Sequence, residues 1–374
     1  MWSFIKYLFF IFIEWVMEML QAIKRFKLLG SRTLKTGISV FLTALICGFF
    51  NLPIIFAVIT AIVTIEHTAA DSIKKAAVRF PASAIGALLA TAFYGLFGKG
   101  ALTFALVAMA TIAVCHKLKL DAGILVATIT ATAMIPDFQD HYFVSFFTRL
   151  GTTSIGIIVS TFVNFFLLPP NYSPMIYKNI NGLYNQAGLL LKRIIYDITA
   201  ESKEKTRNNQ RSYRQLTAHL EKTLQLSSYQ REEWKYHRHT NEEMVAFQLS
   251  QRKLAAFQQI VYHLGNLQYV QTKGSDFSES EKELLHSLTD HYVRVLLDPT
   301  HSIQEEQFQN VAHLDRLFWK WKEDHVIKKT TYRHHLPPQT ILLYEMLCFH
   351  DVLEELQDLS AKQMALVEKC YLRD

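Results

Sequence analysis

Between residues 34 and 168 the chain carries six apolar segments in close succession, at Leu34 to Phe50, Pro53 to Ile65, Arg79 to Phe97, Ala101 to Cys115, Ala122 to Ile135 and Arg149 to Leu168. Segments this apolar and this closely spaced are expected in lipid, where only a helix satisfies its own backbone polar groups. Several contain only about 13 to 17 residues. A 30 Å hydrocarbon core needs roughly 20. Short spans must lean on partners, thin the bilayer or meet as half-crossing pairs.

The apolar series stops at Leu168-Pro169-Pro170, and charge separates the two sides of that boundary. Of 39 Lys and Arg, 13 precede residue 171, against 7 of 33 Asp and Glu, so the net charge of +6 belongs to the first part. Residues 171–374 are densely and evenly charged, as a solvated helical surface is. Helical periodicity there runs over Ser173 to Glu201, Arg207 to Lys235, Glu242 to Thr272, Ser278 to Leu297, Ser302 to Glu323 and Gln339 to Leu372. Lys273-Gly274-Ser275, Asp298-Pro299 and Leu336-Pro337-Pro338 punctuate it. The expected architecture is all-α: a polytopic membrane protein with six transmembrane helices, followed by a cytoplasmic helical bundle. Its parts are an N-terminal helix over 1–28, a transmembrane domain over 29–170 and a cytoplasmic domain over 171–374.

Wrapped as a helix, Lys6, Glu14, Glu18, Gln21 and Arg25 share about a third of the circumference of the first segment. That face suits an amphipathic helix in the headgroup plane. The alternative is a seventh span, which would place the N-terminus outside. Positive charges alternate between connections: Arg32 and Lys35 precede the first span, Lys74, Lys75 and Arg79 follow the second, and Lys117 and Lys119 follow the fourth. The positive-inside rule then puts both termini in the cytoplasm with six crossings in the cell membrane.

Common enzyme and ATPase fingerprints are missing: there is no P-loop, no dinucleotide-binding glycine pattern and no Gly-x-Ser-x-Gly elbow. Cys47, Cys115, Cys348 and Cys370 lack metal or disulfide spacing and are expected as buried thiols. His237, His239, His334 and His335 lack helix-face spacing with carboxylates and are expected to be solvated, so no metal and no cofactor are expected. The second part has no net charge, which argues against a nucleic-acid partner.

Shifted by 70 residues, Pro53 to Gly86 lies over Gly123 to Gly156 without a gap. Identical pairs are Ile54/Ile124, Ala57/Ala127, Ile59/Ile129, Thr60/Thr130, Ala61/Ala131, Arg79/Arg149, Ile85/Ile155 and Gly86/Gly156. The copies are offset by three crossings and therefore opposite in orientation, the arrangement in which secondary transporters bind substrate between repeats. Each holds the pattern Arg-x-x-small-[Ser/Thr]-x-x-Gly, at Arg79, Ala82, Ser83, Gly86 and at Arg149, Thr152, Thr153, Gly156. Offsets of 3, 4 and 7 share one helix face. Asn164 extends the second face, and Arg32, Lys35, Thr36, Ser39 and Thr43 form a similar one in the first span.

Arginine at a span end anchors to headgroups, and small residues at this spacing pack helices. Cytoplasmic anchoring explains Arg79 but not Arg149, which falls on the outer side. A guanidinium held near the membrane suits a carboxylate. The expected substrate-binding residues are Arg32, Lys35, Arg79, Ser83, Arg149, Thr152, Thr153 and Asn164, and the cargo is a small organic anion. Glu66 and His67 close the second span and are the proton-coupling candidates, against a reading as solvated loop caps that also covers Asp71, Asp137, Asp140 and His141.

The entry Leu29-Gly30-Ser31-Arg32-Thr33-Leu34-Lys35-Thr36-Gly37, the stretch Phe56 to Ile65, the two arginine patterns, the exit Asn164-Phe165-Phe166-Leu167-Leu168-Pro169-Pro170 and the helical C-terminal part together resemble the bacterial aromatic acid exporter family, within the fusaric acid resistance superfamily that includes plant aluminium-activated malate channels. The resemblance implies a homodimer of six-helix subunits that exports aromatic carboxylates, with Arg32, Arg79 and Arg149 as anion contacts. Two features depart from the pattern: Pro81-Ala82 after Arg79, and the charged pair Glu66-His67. An organic-anion channel and a non-transporting scaffold or sensor are the competing expectations.

Overall fold

The computed structural model describes residues 31–135, 142–167, 169–200, 206–270, 277–327 and 336–371. The expected N-terminal interfacial helix, Asp137, Asp140, His141, His334 and His335 lie outside them. Among the described residues there are helices and no strands. Two compact units are present, one of residues 1–170 with 231–237, the other of 171–230 with 238–374.

The first unit contains α1 (Ser31–Phe49), α2 (Ile54–Thr64), α3 (Ala69–Phe97), α4 (Ala101–Lys117), α5 (Ile124–Met134), preceded by a 3₁₀ turn at Asp121–Gly123, and α6 (Tyr142–Phe162), which runs into a π turn at Val163–Leu167. Three segments are long and apolar enough to cross a membrane: Arg32–Phe49, Ala69–Phe97 and Phe143–Leu167. The other three helices are shorter and also apolar. α2 and α5 have 11 residues each, about 16 Å of helix at 1.5 Å per residue, roughly half of a hydrocarbon core. Phe41, Ile55, Leu88, Met109, Leu125 and Ile158 stand exposed on these helices. That is costly in water and natural in lipid.

Capping decides where α3 begins. The apolar pattern starts at Arg79, yet the helix starts ten residues earlier, because the Thr68 hydroxyl accepts the Asp71 N–H at 3.0 Å. Pro81 sits inside this helix, where it removes one rung of the hydrogen-bond ladder. Pro53 occupies the N-cap of α2.

α3 packs on α5 and α4, α2 packs on α6 and α1, α1 also packs on α6, α4 on α5, and α3 crosses α6. The tightest approaches use the small residues of the repeated pattern. A Cβ at Gly86 would lie 2.5 Å from the carbonyl oxygen of Ala127, and one at Gly156 would run into the carbonyl oxygen of Ala57. Only glycine lets these backbones meet.

The second unit is built from α7 (Ser173–Thr199), α8 (Thr206–Glu233, whose last residues belong to the first unit), α9 (Asn241–Gln268), α10 (Glu279–Leu297), α11 (Glu305–Ile327) and α12 (Pro338–Tyr371). α7 packs on α9 and α10, and α12 on α9 and α11. Tyr184, Tyr292, Phe257 and Phe349 are fully buried in its core. Their polar ends are satisfied: Tyr184 donates to the Lys253 carbonyl and Tyr292 to that of Met346. Both α9 and α10 open with a capping box, at Thr240/Glu243 and Ser278/Glu281. Cys47 and Cys115 are buried free thiols, and Cys348 is a half-buried one.

Candidate functional site

The half-length helices α2 and α5 face each other across a cleft lined by Phe56, Ile59, Thr60 and Val63 from α2, by Val126, Ile129 and Thr130 from α5, and by Arg149 from α6. The space between them is nearly closed, about 10 Å³, about the room one water needs. Phe56 and Val126, Ile59 and Ile129, and Thr60 and Thr130 are each 70 residues apart. Equivalent positions of the two copies therefore supply the two walls.

Arg149 is buried, and its guanidinium lies over the Phe56 ring, 3.4 Å from the centroid. Stacking of this kind holds the planar cation in place. Thr152 donates to the Arg149 carbonyl at 3.0 Å, and Thr153 is fully buried on the same face. Thr60 donates to the Phe56 carbonyl at 2.9 Å, and Ser83 reaches Thr130 at 3.4 Å, joining α3 to the cleft wall.

Arg79, the partner of Arg149 in the repeat, meets different company. Its Nη2 donates to Glu66 Oε1 at 2.6 Å and its Nε to the Ala122 carbonyl at 3.2 Å. Lys75 donates to the other Glu66 oxygen at 2.8 Å. Burial pushes the Glu66 carboxyl up, but the hydrogen bonds and charges of Lys75 and Arg79 outweigh it and hold the group below the usual glutamate range. Glu66 is thus an ion-pair partner, while His67 is exposed.

Asn164 sits in the π turn, a distortion frequent at functional sites, and ties three elements together. Its Oδ1 accepts Lys35 Nζ at 2.8 Å; its Nδ2 donates to the carbonyls of Glu66 and Thr68 and to Ser72 Oγ. Lys35 is buried. Arg32 lies at the rim, where it donates to the Ile65 carbonyl at 3.3 Å. The eight expected substrate contacts accordingly fall into two groups. Arg149 lines the cleft, Ser83 reaches its wall at Thr130, and Thr152 and Thr153 follow Arg149 on α6, whereas Arg32, Arg79 and Asn164 bind the 65–68 connection and Lys35 is held by Asn164.

Residues 231–237 join this unit from far along the chain. Ala69 N–H donates to Glu233 Oε2 at 2.9 Å, Lys74 pairs with Glu232 at 3.1 Å, and His237 contacts both Glu233 and the Phe165 carbonyl. This corrects the expectation of a solvated His237: the ring is held between acceptors. Phe56 and Thr130 were missed as site residues, although the 70-residue match of Thr60 with Thr130 signals one of them. Nothing local signals Glu233, which looks like any acidic residue on a charged helix. Among the described residues, no cluster of His, Cys, Asp or Glu has the makings of a metal site.

Residues 27–167 match the family described as aromatic acid exporter family member 1. Relatives extend the likeness along the chain. A UPF0421 protein of Bacillus cereus is 46% identical over 340 residues, covering 91% of this chain and 97% of that one. UPF0421 proteins of Halalkalibacterium halodurans and Oceanobacillus iheyensis are 39% and 37% identical, covering 92% and 87% of this chain and 93% and 94% of theirs. Residues 27–167 thus belong with the aromatic acid exporter family, and the chain as a whole belongs with the UPF0421 proteins.

Proposed function

We propose that the protein exports small aromatic carboxylates across the cell membrane by alternating access between two inverted copies, α1–α3 and α4–α6. The observation that carries this reading is the cleft between α2 and α5, with equivalent residues on both walls and Arg149 stacked on Phe56. Its apolar walls and aromatic ring suit an aromatic body once α2 and α5 move apart to admit one, and the guanidinium supplies bidentate donors for a carboxylate. Further support comes from the packing, which maps onto itself when α1, α2 and α3 are exchanged for α4, α5 and α6: α3–α5 becomes α6–α2, α1–α2 becomes α4–α5, and α1–α6 becomes α4–α3.

In this reading six helices cross, α2 and α5 as half-length spans that meet near the midplane. Both termini and the helical bundle of residues 171–374 face the cytoplasm, as the Lys and Arg distribution favours. The subunit works as a homodimer. Arg149 holds the substrate carboxylate, Thr60 and Thr130 offer hydroxyls, and Arg79, held by Glu66, awaits the anion on the other side of the cycle.

The test is reconstitution of the full chain into liposomes with labelled aromatic carboxylates. The expected result is saturable flux, reduced at least about tenfold by Arg149→Gln, the scale set by loss of one charged hydrogen-bond pair. Flux unaffected by Arg149→Gln and Arg79→Gln would remove the cleft as the site, and ion-channel currents without saturation would replace the carrier with a channel.

A further inference from the structure

A second cavity in the first unit is a groove between α3 and α6. Ile73 and Ala76 of α3, Ile158 and Phe162 of α6, and Phe165 and Phe166 of the π turn line it, and about 450 Å³ in it is unfilled by protein and open to the outside. Phe162 and Phe166 pack ring against ring, 4.6 Å between centroids. Ile158 and Phe166 are 65% and 63% exposed. Water fills so apolar a space poorly. Both helices carry segments long and apolar enough to cross a membrane, so the medium that reaches the groove there is hydrocarbon.

One end of the groove is polar. Phe165 packs on Tyr236, 6.3 Å between centroids, and Tyr236 lies in the stretch 231–237 that belongs to this unit. Glu232 of that stretch pairs with Lys74, the neighbour of Ile73 on α3, and with Lys235, and both lysine side chains remain more than half exposed. Lys74, Lys235 and the exposed Arg231 bring three positive charges, against two negative ones from Glu232 and from Asp71 in the first turn of α3. Glu233 is buried and turned to the Ala69 N–H, and Glu66 is held by Lys75 and Arg79. One positive charge is left over, at the end of α3 and α6 that the Lys and Arg distribution assigns to the cytoplasm. Basic residues and an exposed tyrosine at the mouth of an apolar groove between membrane helices suit an anionic headgroup.

We propose that this groove binds one anionic phospholipid, an acyl chain lying between α3 and α6 and the phosphate at Lys74 and Lys235. Charge favours a lipid over a second copy of the chain. A two-fold axis along the membrane normal keeps equivalent residues at equal height, so pairing this face with its copy would bring Lys74, Lys235 and Arg231 toward the same cations. A phosphate brings the opposite sign. The bound chain would cover Phe162 and Phe166 and join the start of α3 to the end of α6, the two elements that Asn164 also ties through Thr68 and Ser72. The site requires α3 and α6 to lie in the bilayer and does not depend on transport.

Native mass spectrometry of the full chain tests this, after equilibration with phosphatidylglycerol and phosphatidylcholine of equal chain length and washing in mild detergent. The wild type should retain one phospholipid per subunit, with phosphatidylglycerol favoured about fivefold, the scale of one uncompensated basic residue at an anionic surface. Ala76→Trp fills the groove and should remove the retained lipid of either kind. Ile158→Trp fills it from an exposed position and carries the test if Ala76→Trp fails to fold. Lys74→Gln combined with Lys235→Gln should keep a lipid and lose the preference. No retained lipid in the wild type, equal retention in the groove-filling variants, or an unchanged preference in the lysine double variant overturns the site. A dimer that dissociates in the groove-filling variants while the lipid count stays the same also overturns it, and gives the groove to a second copy.

Discussion

The Cα of Gly86 lies so close to the Ala127 carbonyl that a side-chain carbon there would come within 2.5 Å of the oxygen. The same clash recurs one repeat later between Gly156 and Ala57. A backbone neighbour cannot swing aside as a flexible side chain can, so overpacking there must move a helix. Gly86→Ala and Gly156→Ala should each cost about 1–3 kcal/mol, read as a lower unfolding temperature in detergent. Gly37→Ala is the control. Nothing lies within 4 Å of a Cβ at that helical position, and helix propensity should stabilise it by up to about 1 kcal/mol.

Arg149→Lys should not rescue flux. The ammonium keeps the charge but loses the flat stacking on Phe56 and the paired donors. Flux of an aromatic carboxylate should fall at least about tenfold relative to wild type, the penalty of roughly 1.4 kcal/mol in the binding step. Full activity in Arg149→Lys would mean that charge alone, and not geometry, serves the anion.

Glu66→Gln should leave the buried Arg79 facing an amide. With its held carboxylate gone, Arg79 should take anions more tightly, seen as a lower half-saturating concentration with slower turnover. The same pair makes a pH prediction. A carboxyl held below its usual range contributes stability that is complete above the unfolded-state value and is lost as pH falls through the folded one. Acid should therefore lower the unfolding temperature of the wild type more than that of Glu66→Gln, as differential scanning measurements can check.

Asn164→Asp pairs a carboxylate with Lys35, yet it should destabilise as Asn164→Ala does. The Asn amide donates to two carbonyls and the Ser72 hydroxyl, and a carboxylate has no hydrogen to give. Orphaning those acceptors costs about 1–3 kcal/mol. Thermal unfolding of both variants should show the loss; recovery in Asn164→Asp would reduce Asn164 to a counterpart of Lys35.

Much of this was legible in the chain itself. Apolar segment order and the breakers after Pro170 marked the helices and most of their ends to within a few residues, because apolar patterning and helix capping are local in sequence; the starts of α3 and α6 lie ten and seven residues before the apolar pattern, in more polar stretches. The 70-residue match marked Arg79, Arg149, Gly86 and Gly156 together, since duplicated segments keep the residues their packing requires. Composition could not say that two residues with the same place in the repeat would differ, Arg79 against Glu66 and Arg149 against Phe56. Nor could it bring Glu233 and His237 beside Ala69 and Phe165, more than 70 residues away in each case. Those pairings depend on which surfaces meet once the helices pack, and a single carboxylate on a charged helix carries no local mark of the partner that tertiary structure will give it.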